Sequence, residues 1–485
     1  MDLNLRMLIR IGGILFLVMG CTMFLPIAVG LYYKEIASAC AFLYVAIPSL
    51  LAGLLILKLV HTKNKSMKIR DGILVVSLSW FFCALLGCLP FIISGSIPHP
   101  IDAFFETCSG FSTTGFSIID NVEILPKSTL FWRSFTHWLG GMGILVFAVA
   151  LLPALGISGQ TIASFEAPGP ILSKLTPKMS DTARMLYILY FSFTILETIL
   201  LMLGGMSLFD AVCHSFSTLG TGGFGNYNNS IAHFDSPYID GVISLFMFMS
   251  SINFNLYFIL FTKGLFSMFR DEELRLYTGV TVTTISLIVI SLSFSGGMRI
   301  FKAIRYAVFQ LMSLLSTTGF KTYDYSLWPT FAQMLLLLVF FIGGCSSSTG
   351  GGIKAIRILV LLKLVKRSIA LRLHPRAVIN VKINGELATT DTVSNIANFL
   401  FLYITLILMG AFAVSFDGYD IMTNFSVAAS CLGNIGQGFG ELTSASSLDF
   451  FSYPSKLILS FLMIAGRLEV FPLFMLFSKK FWKPY

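Results

Sequence analysis

The chain of 485 residues is 55% hydrophobic, charged at only 12% of its positions, and carries a formal net charge of +9, with a mean hydropathy of +0.82. Such a composition excludes a soluble domain, and apolar stretches of about 20 residues or more call for membrane-spanning helices, because backbone polar groups in lipid have to be satisfied internally. The eight cysteines have no metal-ligand spacing and the six histidines form no ligand pattern, so they read as packing residues and satisfied polar contacts, and nothing argues for a metal enzyme.

The first apolar run, IGGILFLVMGCTMFLPIAVGLYY, is too long for a signal-peptide core and lacks a small-residue cleavage site after it. Together with a second run it predicts two leading spans, about 8–33 and 36–60, within residues 1–68. An internal repeat follows. DAFFETCSGFSTTG (102–115), DAVCHSFSTLGTGG (210–223), YAVFQLMSLLSTTG (306–319) and TNFSVAASCLGNIG (423–436) have the same length and end on glycine. Each lies between two long apolar segments. The predicted unit is span, short helix, glycine loop, span, with boundaries at 69–160, 177–265, 275–368 and 390–485. The fold class is therefore all-α integral membrane, with four pseudo-symmetric units around one pore, two leading helices and ten spans in all.

A helix of about 12 residues rises roughly 18 Å, against a hydrocarbon core of about 30 Å. The short segments cannot cross. They must re-enter, and irregular backbone at that depth survives only where protein buries it or water reaches it. Glycine accepts backbone angles that let several carbonyl oxygens face one spot and replace the hydration shell of an ion. Gly115, Gly223, Gly319 and Gly436 are the candidates, with Thr113, Thr114, Thr221, Gly222, Thr317, Thr318, Asn434 and Ile435 presenting carbonyls and the threonine hydroxyls as added oxygens. Oxygen dipoles without carboxylates, facing the negative ends of the short helices, suit a monovalent cation better than calcium or magnesium.

Basic residues gather at HTKNKSMKIRD (61–71), from Lys363 through Arg376 and Lys382, and in the terminal KKFWK. By the positive-inside rule those segments and both termini face the cytoplasm, and lipid head groups rather than nucleic acid explain the charge. A cytosolic partner on the basic face stays open.

These motifs, with the break GGCSSSTGGGIKAIR and the ending GRLEVFPLF, resemble the Trk/Ktr/HKT superfamily of potassium transporters, closest to the bacterial TrkH type, over essentially the whole chain. The resemblance implies a K⁺-uptake pore in the bacterial cytoplasmic membrane, a homodimer with one pore per protomer, and gating by a cytosolic nucleotide-binding ring protein of TrkA type. The chain departs from the pattern in the fourth loop, N-I-G-Q, and at Gly222, so only the first and third loops match in side-chain oxygens.

Two further features bear on gating. As one helix, Trp328–Leu364 would span about 55 Å, which is too long, and Gly343, Gly344, Cys345, Ser346, Ser347, Ser348, Thr349, Gly350, Gly351 and Gly352 interrupt it. The segment reads as a barrier beneath the filter, the role the resemblance implies, or as an ordinary kink. It is no phosphate-binding loop, lacking the Gly-Lys-Ser/Thr ending and a preceding strand. Arg467 falls in the middle of a last span read as Ser455–Phe477, where a charge needs a cavity or a partner. It is expected to face the ion path, as the arginine of the resembling family does, or to pair with a carboxylate such as Glu197. Glu106 is expected to pack within the first short helix or to bond the filter loop. An intramembrane serine hydrolase using Ser346, Ser347 or Ser348 finds no histidine placed to activate them. H⁺- or Na⁺-coupled symport is the remaining alternative, with Glu106 and Glu197 as its candidate carboxylates.

Overall fold

The computed structural model describes residues 4–61, 68–143, 179–388, 390–443 and 447–482. The expected boundaries at 160 and 177, and part of the basic segments at 61–71 and at the C-terminus, lie outside the described residues. Apart from a hairpin of two short strands, Lys382–Ile383 and Glu386–Leu387, the regular elements are helices.

Two helical stretches lead the chain, Leu5–Thr22 continued by Phe24–Tyr32, and Ile36–Leu59. They approach closely because their interface is small: a Cβ on Gly53 would overlap Gly13 O and Leu17, and one on Gly20 would overlap Leu50. Glu35, between them, accepts from the backbone of Lys127 at 2.7 Å and Ser128 at 3.0 Å. It thereby supplies an anion to the N-terminus of a later helix and fastens the leading pair to the rest.

Four long outer helices follow at intervals, Ile69–Ile93, Met179–Leu203, Glu272–Phe294 and Thr390–Val414. They keep large apolar side chains on the outside, among them Ile188, Phe191 and Ile195 on one and Phe401, Leu408 and Phe412 on another. A face of that kind suits lipid, where exposed apolar surface carries no penalty. After each comes a short helix, called a pore helix after the role expected of it, Pro100–Phe111, Leu208–Leu219, Ile300–Leu315 or Ile421–Gly433. Three of these begin at an acid, Asp102, Asp210 or the N-cap Asp420, which stabilises the positive end of the helix.

The inner helices that return from the loops differ from the sequence reading, except the third, which is broken at Gly343–Gly352 as expected. Lys127–Gly141, Pro237–Ser251, Thr330–Val339 and Tyr453–Arg467 all stop short. The second resumes as Phe254–Lys263 after a bend of 92°, the third as Ala355–Leu373, and the fourth as Phe471–Met475. The described residues therefore hold six helices long and apolar enough to cross a membrane, or seven if the bent pair counts as one span, where ten spans were expected over the whole chain, the broken one counted once. Small residues stand at the breaks, Gly140–Gly141, Ser250–Ser251, Gly343–Gly344 and Gly466, and they allow the chain to leave the helix.

Ion pairs join neighbouring elements. Lys456 Nζ of the fourth inner helix donates to Asp102 at 2.8 Å, and Arg305 Nε of the third pore helix donates to Asp240 of the second inner helix at 2.6 Å.

Candidate functional site

Each pore helix ends in the same way. Thr113, Thr221, Thr317 and Asn434 adopt left-handed conformations with φ of 59°, 54°, 59° and 53°. The next N–H, of Thr114, Gly222, Thr318 or Ile435, turns back to the carbonyl of Ser109, Ser217, Ser313 or Ser430 at 2.8–3.0 Å. This is the six-to-one bond of a Schellman cap. One residue further, Gly115, Gly223, Gly319 and Gly436 return to positive φ, at 88°, 79°, 89° and 74°, angles that a Cβ would strain. The loops also meet. The space that a Cβ on Gly115 would take is held by Gly222 O, on Gly223 by Thr318 O, on Gly319 by Ile435 O, and on Gly436 by Thr114 O. The order runs from first loop to second, third, fourth and back to first, so the predicted residues of all four loops close into one ring.

Side chains behind the ring differ from quarter to quarter. The hydroxyls of Thr114 and Thr318 pair with Ser112 and Ser316 at 2.7 and 2.6 Å. Gly222 lacks a side chain because His137 fills its place: a Cβ there would overlap the imidazole. His137 Nδ1 lies 2.8 Å from Gly110 O, and Nε2 faces the Phe224 N–H at 3.3 Å. Only a neutral ring protonated on Nδ1 satisfies both. In the fourth loop Asn434 Nδ2 donates to Thr114 Oγ1 at 3.0 Å and to Met463 O at 2.9 Å, joining loops one and four to an inner helix. Outside the ring, Glu106 accepts from Arg133 Nε at 2.7 Å, from Ser117 Oγ at 3.0 Å and from Ile118 N at 3.0 Å, the loop-bracing bond expected of it. Gln437 Nε2 braces the third loop through Gly319 O and Phe320 O at 3.0 and 2.7 Å.

A vestibule of about 750 Å³ opens on one side of the ring, lined by the four glycines and by Asp120, Lys321 and Asp324. The interruption Gly343–Gly352 lies against the other side. Its ends are drawn together where Gly343 N donates to Ile353 O at 2.9 Å. Gly351 N donates to Thr317 Oγ1 at 2.6 Å, and a Cβ on Gly351 would overlap Gly433 O. Cys345 N donates to Ser251 O at 2.8 Å, and Ser347 O accepts from Phe254 N at 3.1 Å, so the segment plugs into the bend of the second inner helix.

Arg467 stands at a helix end, which corrects its placement mid-way along a continuous span Ser455–Phe477. The chain turns there through Glu469 and Val470, at φ of 53° and 67°. The guanidinium donates to Gly140 O and Gly141 O, both at 2.6 Å, to Thr349 O at 2.8 Å and to Thr113 Oγ1 at 3.3 Å. Its partners are carbonyls at the end of the first inner helix, the interrupting segment and the first glycine loop, where a carboxylate such as Glu197 had been an alternative. Glu469 pairs instead with Arg357 at 2.5 Å.

The TrkH family of cation transport proteins matches residues 41–484. The chain belongs to this family. The TrkH family's potassium uptake protein TrkH of Halomonas elongata is 36% identical over 99% of the chain and its own full length. TrkH of Escherichia coli is also 36% identical, over 99% of the chain and 100% of the relative. The crystal structure of the potassium transporter TrkH from Vibrio parahaemolyticus superposes with a TM-score of 0.88 at 35% identity, covering 99% of this chain and 100% of that one. The family is one of transporters, so the chain is a multi-pass membrane transport protein and no enzyme.

Sequence reasoning missed several residues that shape this site in a TrkH-family chain. Ser109, Ser217, Ser313 and Ser430 occupy one position of the repeat and supply every loop-closing carbonyl; aligning the four copies shows them. Arg133 and His137 lie on an inner helix outside the repeated segment, and no spacing links His137 to Gly222. Glu273, on the third outer helix, holds the interrupting segment from a distance of more than 70 positions along the chain, with no signal in its neighbourhood.

Proposed function

We propose that the chain is a K⁺-uptake pore of the Trk type in the bacterial cytoplasmic membrane, with its four units arranged around one ion path. The loops Thr113–Gly115, Thr221–Gly223, Thr317–Gly319 and Asn434–Gly436 form the selectivity filter. The observation that carries this reading is the closed sequence of glycine-to-carbonyl contacts among the four loops. Alternating handedness along each loop turns successive carbonyls toward a shared centre, where they replace the water of a dehydrated cation. The relatives' names specify potassium uptake, and the hydroxyls of Thr114 and Thr318, engaged behind the ring, leave coordination to backbone oxygens.

Below the filter, Gly343–Gly352 and Arg467 act as the gate. Arg467 places a positive charge beside the path, and its bonds to Thr349 and Thr113 hold the plug against the filter. Opening requires those bonds to part. A homodimer served by a cytosolic nucleotide-binding ring protein of TrkA type completes this reading, and the naming of the relatives as parts of a Trk system supports a multi-component assembly. Basic residues from Lys363 to Arg376 place that face toward the cytoplasm by the positive-inside rule.

The test is cation uptake by the reconstituted protein, with K⁺, Rb⁺ and Na⁺ compared for wild type and Gly115→Ser. K⁺ and Rb⁺ flux in the wild type, lost or made unselective in the variant, is the expected result. Flux indifferent to the substitution removes the filter assignment. One observation favours a second reading, coupling to H⁺ or Na⁺: Glu197 is fully buried in Met179–Leu203 beside Thr218, with no cationic partner among the described residues. Reversal potentials that follow the K⁺ gradient alone eliminate it.

A further inference from the structure

Glu273 lies in the first turn of the third outer helix, 3% exposed, and its carboxylate bonds the interrupting segment and the start of the helix that follows it. Oε1 accepts from Ser346 N at 2.6 Å and from Ile356 N at 2.9 Å, and Oε2 accepts from Ser346 Oγ at 2.6 Å. Ser346 lies near the start of the segment, and Ile356 belongs to the first turn of Ala355–Leu373, where the chain becomes helical again. One carboxylate on a separate helix therefore fastens both ends of the loop. The Ile356 N–H is among those a helix N-terminus leaves unpaired, which makes the anion a favourable partner there.

The residues immediately before it reach in the opposite direction. Asp271 Oδ2 accepts from Asn384 Nδ2 at 2.7 Å, Glu272 N donates to Asn384 Oδ1 at 2.9 Å, and Glu272 Oε2 accepts from Asn384 N at 3.2 Å. Lys363 Nζ bonds Glu272 and also donates to Lys382 O at 2.6 Å. Asn384 is the turn of the only strand hairpin among the described residues, with φ of 50°. Three consecutive acids thus connect a surface hairpin to the loop under the filter. Few covalent links intervene.

We infer that Glu273 is the positioning residue of the gate, fixing the closed loop against the filter, and that the hairpin Lys382–Leu387 is the handle through which its hold is changed. This rests on the gate reading given above. A carboxylate that pins both ends sets the loop's whole placement, so displacement of the helix start by the hairpin moves both anchors together. Loss of the anchor frees Gly351 from Thr317 and Thr349 from Arg467, without touching any filter carbonyl.

The experiment is single-channel recording and Rb⁺ uptake with the full-length reconstituted chain, comparing Glu273→Ala, Glu273→Gln, Asn384→Ala and Arg467→Ala. Glu273→Ala removes all three bonds to the loop and is expected to raise open probability about tenfold, since hydrogen bonds to a charged group are the stronger class. Glu273→Gln keeps an oxygen for both N–H groups and is expected to fall between it and wild type. Asn384→Ala is expected to raise open probability less than Glu273→Ala. Unitary conductance and the K⁺/Na⁺ permeability ratio stay at wild-type values in the Glu273 and Asn384 variants; a merely structural role lowers the amount of folded protein and leaves open probability per channel unchanged. Where Glu273→Ala yields no folded protein, Glu273→Gln decides.

Wild-type open probability in folded Glu273 variants, with Arg467→Ala still raising flux, overturns the inference and spares the gate reading. Arg467→Ala and Glu273→Gln both without effect overturn the two together. A changed permeability ratio in Glu273→Gln also overturns it, because the residue would then act on the filter itself. An unchanged Asn384→Ala beside an open Glu273→Ala removes the hairpin from the inference.

Discussion

The first and second glycine loops reach one backbone shape from different chemistry. In the first, Thr114 fills the space behind the ring and pairs with Ser112, and in the second Gly222 leaves that space to His137, which arrives from the inner helix of the preceding unit. Thr113 and Thr221 share a left-handed conformation, and Gly115 and Gly223 share a positive φ. What the two have in common is the loop-closing bond to Ser109 or Ser217 and the absence of a Cβ at the glycine. The backbone is the conserved product, and the filling behind it is interchangeable as long as volume and hydrogen bonding are met.

Four substitutions, three of them with a companion variant, probe that comparison. The largest effect is expected from Glu106→Ala, which leaves buried Arg133 without its carboxylate beside the first loop; removal of one partner of a buried pair costs about 3–5 kcal/mol. A lowered Tm of the detergent-solubilised protein measures it. His214, at the same repeat position in the second unit, bonds only the carbonyl of Asp210 in its own helix, so His214→Ala should lower Tm much less. Next comes Gly436→Ala, which forces a side chain into positive φ and against Thr114 O. Strain of about 1–3 kcal/mol predicts roughly tenfold or greater loss of K⁺ flux, read by Rb⁺ uptake.

Gly222→Thr should lose flux through collision with His137, and Gly222→Thr combined with His137→Ser should recover part of it, converting the second quarter to the filling of the first. A strictly additive double variant breaks the comparison. The smallest effect belongs to Thr113→Val, which removes the hydroxyl that receives Arg467. A net contribution of about 1 kcal/mol predicts a rise in flux below about tenfold; Thr221→Val, whose hydroxyl bonds only Gly220 O, should leave flux through the gate unaltered.

The two sides of the ring were unequally legible in the sequence. Glycines at one repeat register announce the positive-φ positions Gly115, Gly223, Gly319 and Gly436 because no other residue type takes that conformation at so little cost. Gly343–Gly352 was visible for the same reason. The break at Arg467 was not, since Leu468, Glu469 and Val470 include no helix breaker and an apolar run continues through them. Arg467 consequently looked like a charge in mid-span, whereas it ends its own helix and bonds Gly140 O and Gly141 O where the first inner helix also ends. Gly141 and Ser251 were equally silent, because small residues occur within membrane helices as often as at their ends. His137 and Glu273 act across long separations, and contacts of that kind depend on tertiary packing that no local pattern encodes.

All four quarters of the ring belong to a single polypeptide. In an assembly of identical subunits one codon change alters every quarter at once, and a tolerable defect becomes a fourfold one. Here His137 beside Gly222 and Asn434 beside Thr114 show unlike solutions coexisting around one opening. Mutation can therefore try out a new ligand or filler in a quarter of the circle while the other three keep the ion supplied, which gives such a chain finer increments of change than symmetry permits.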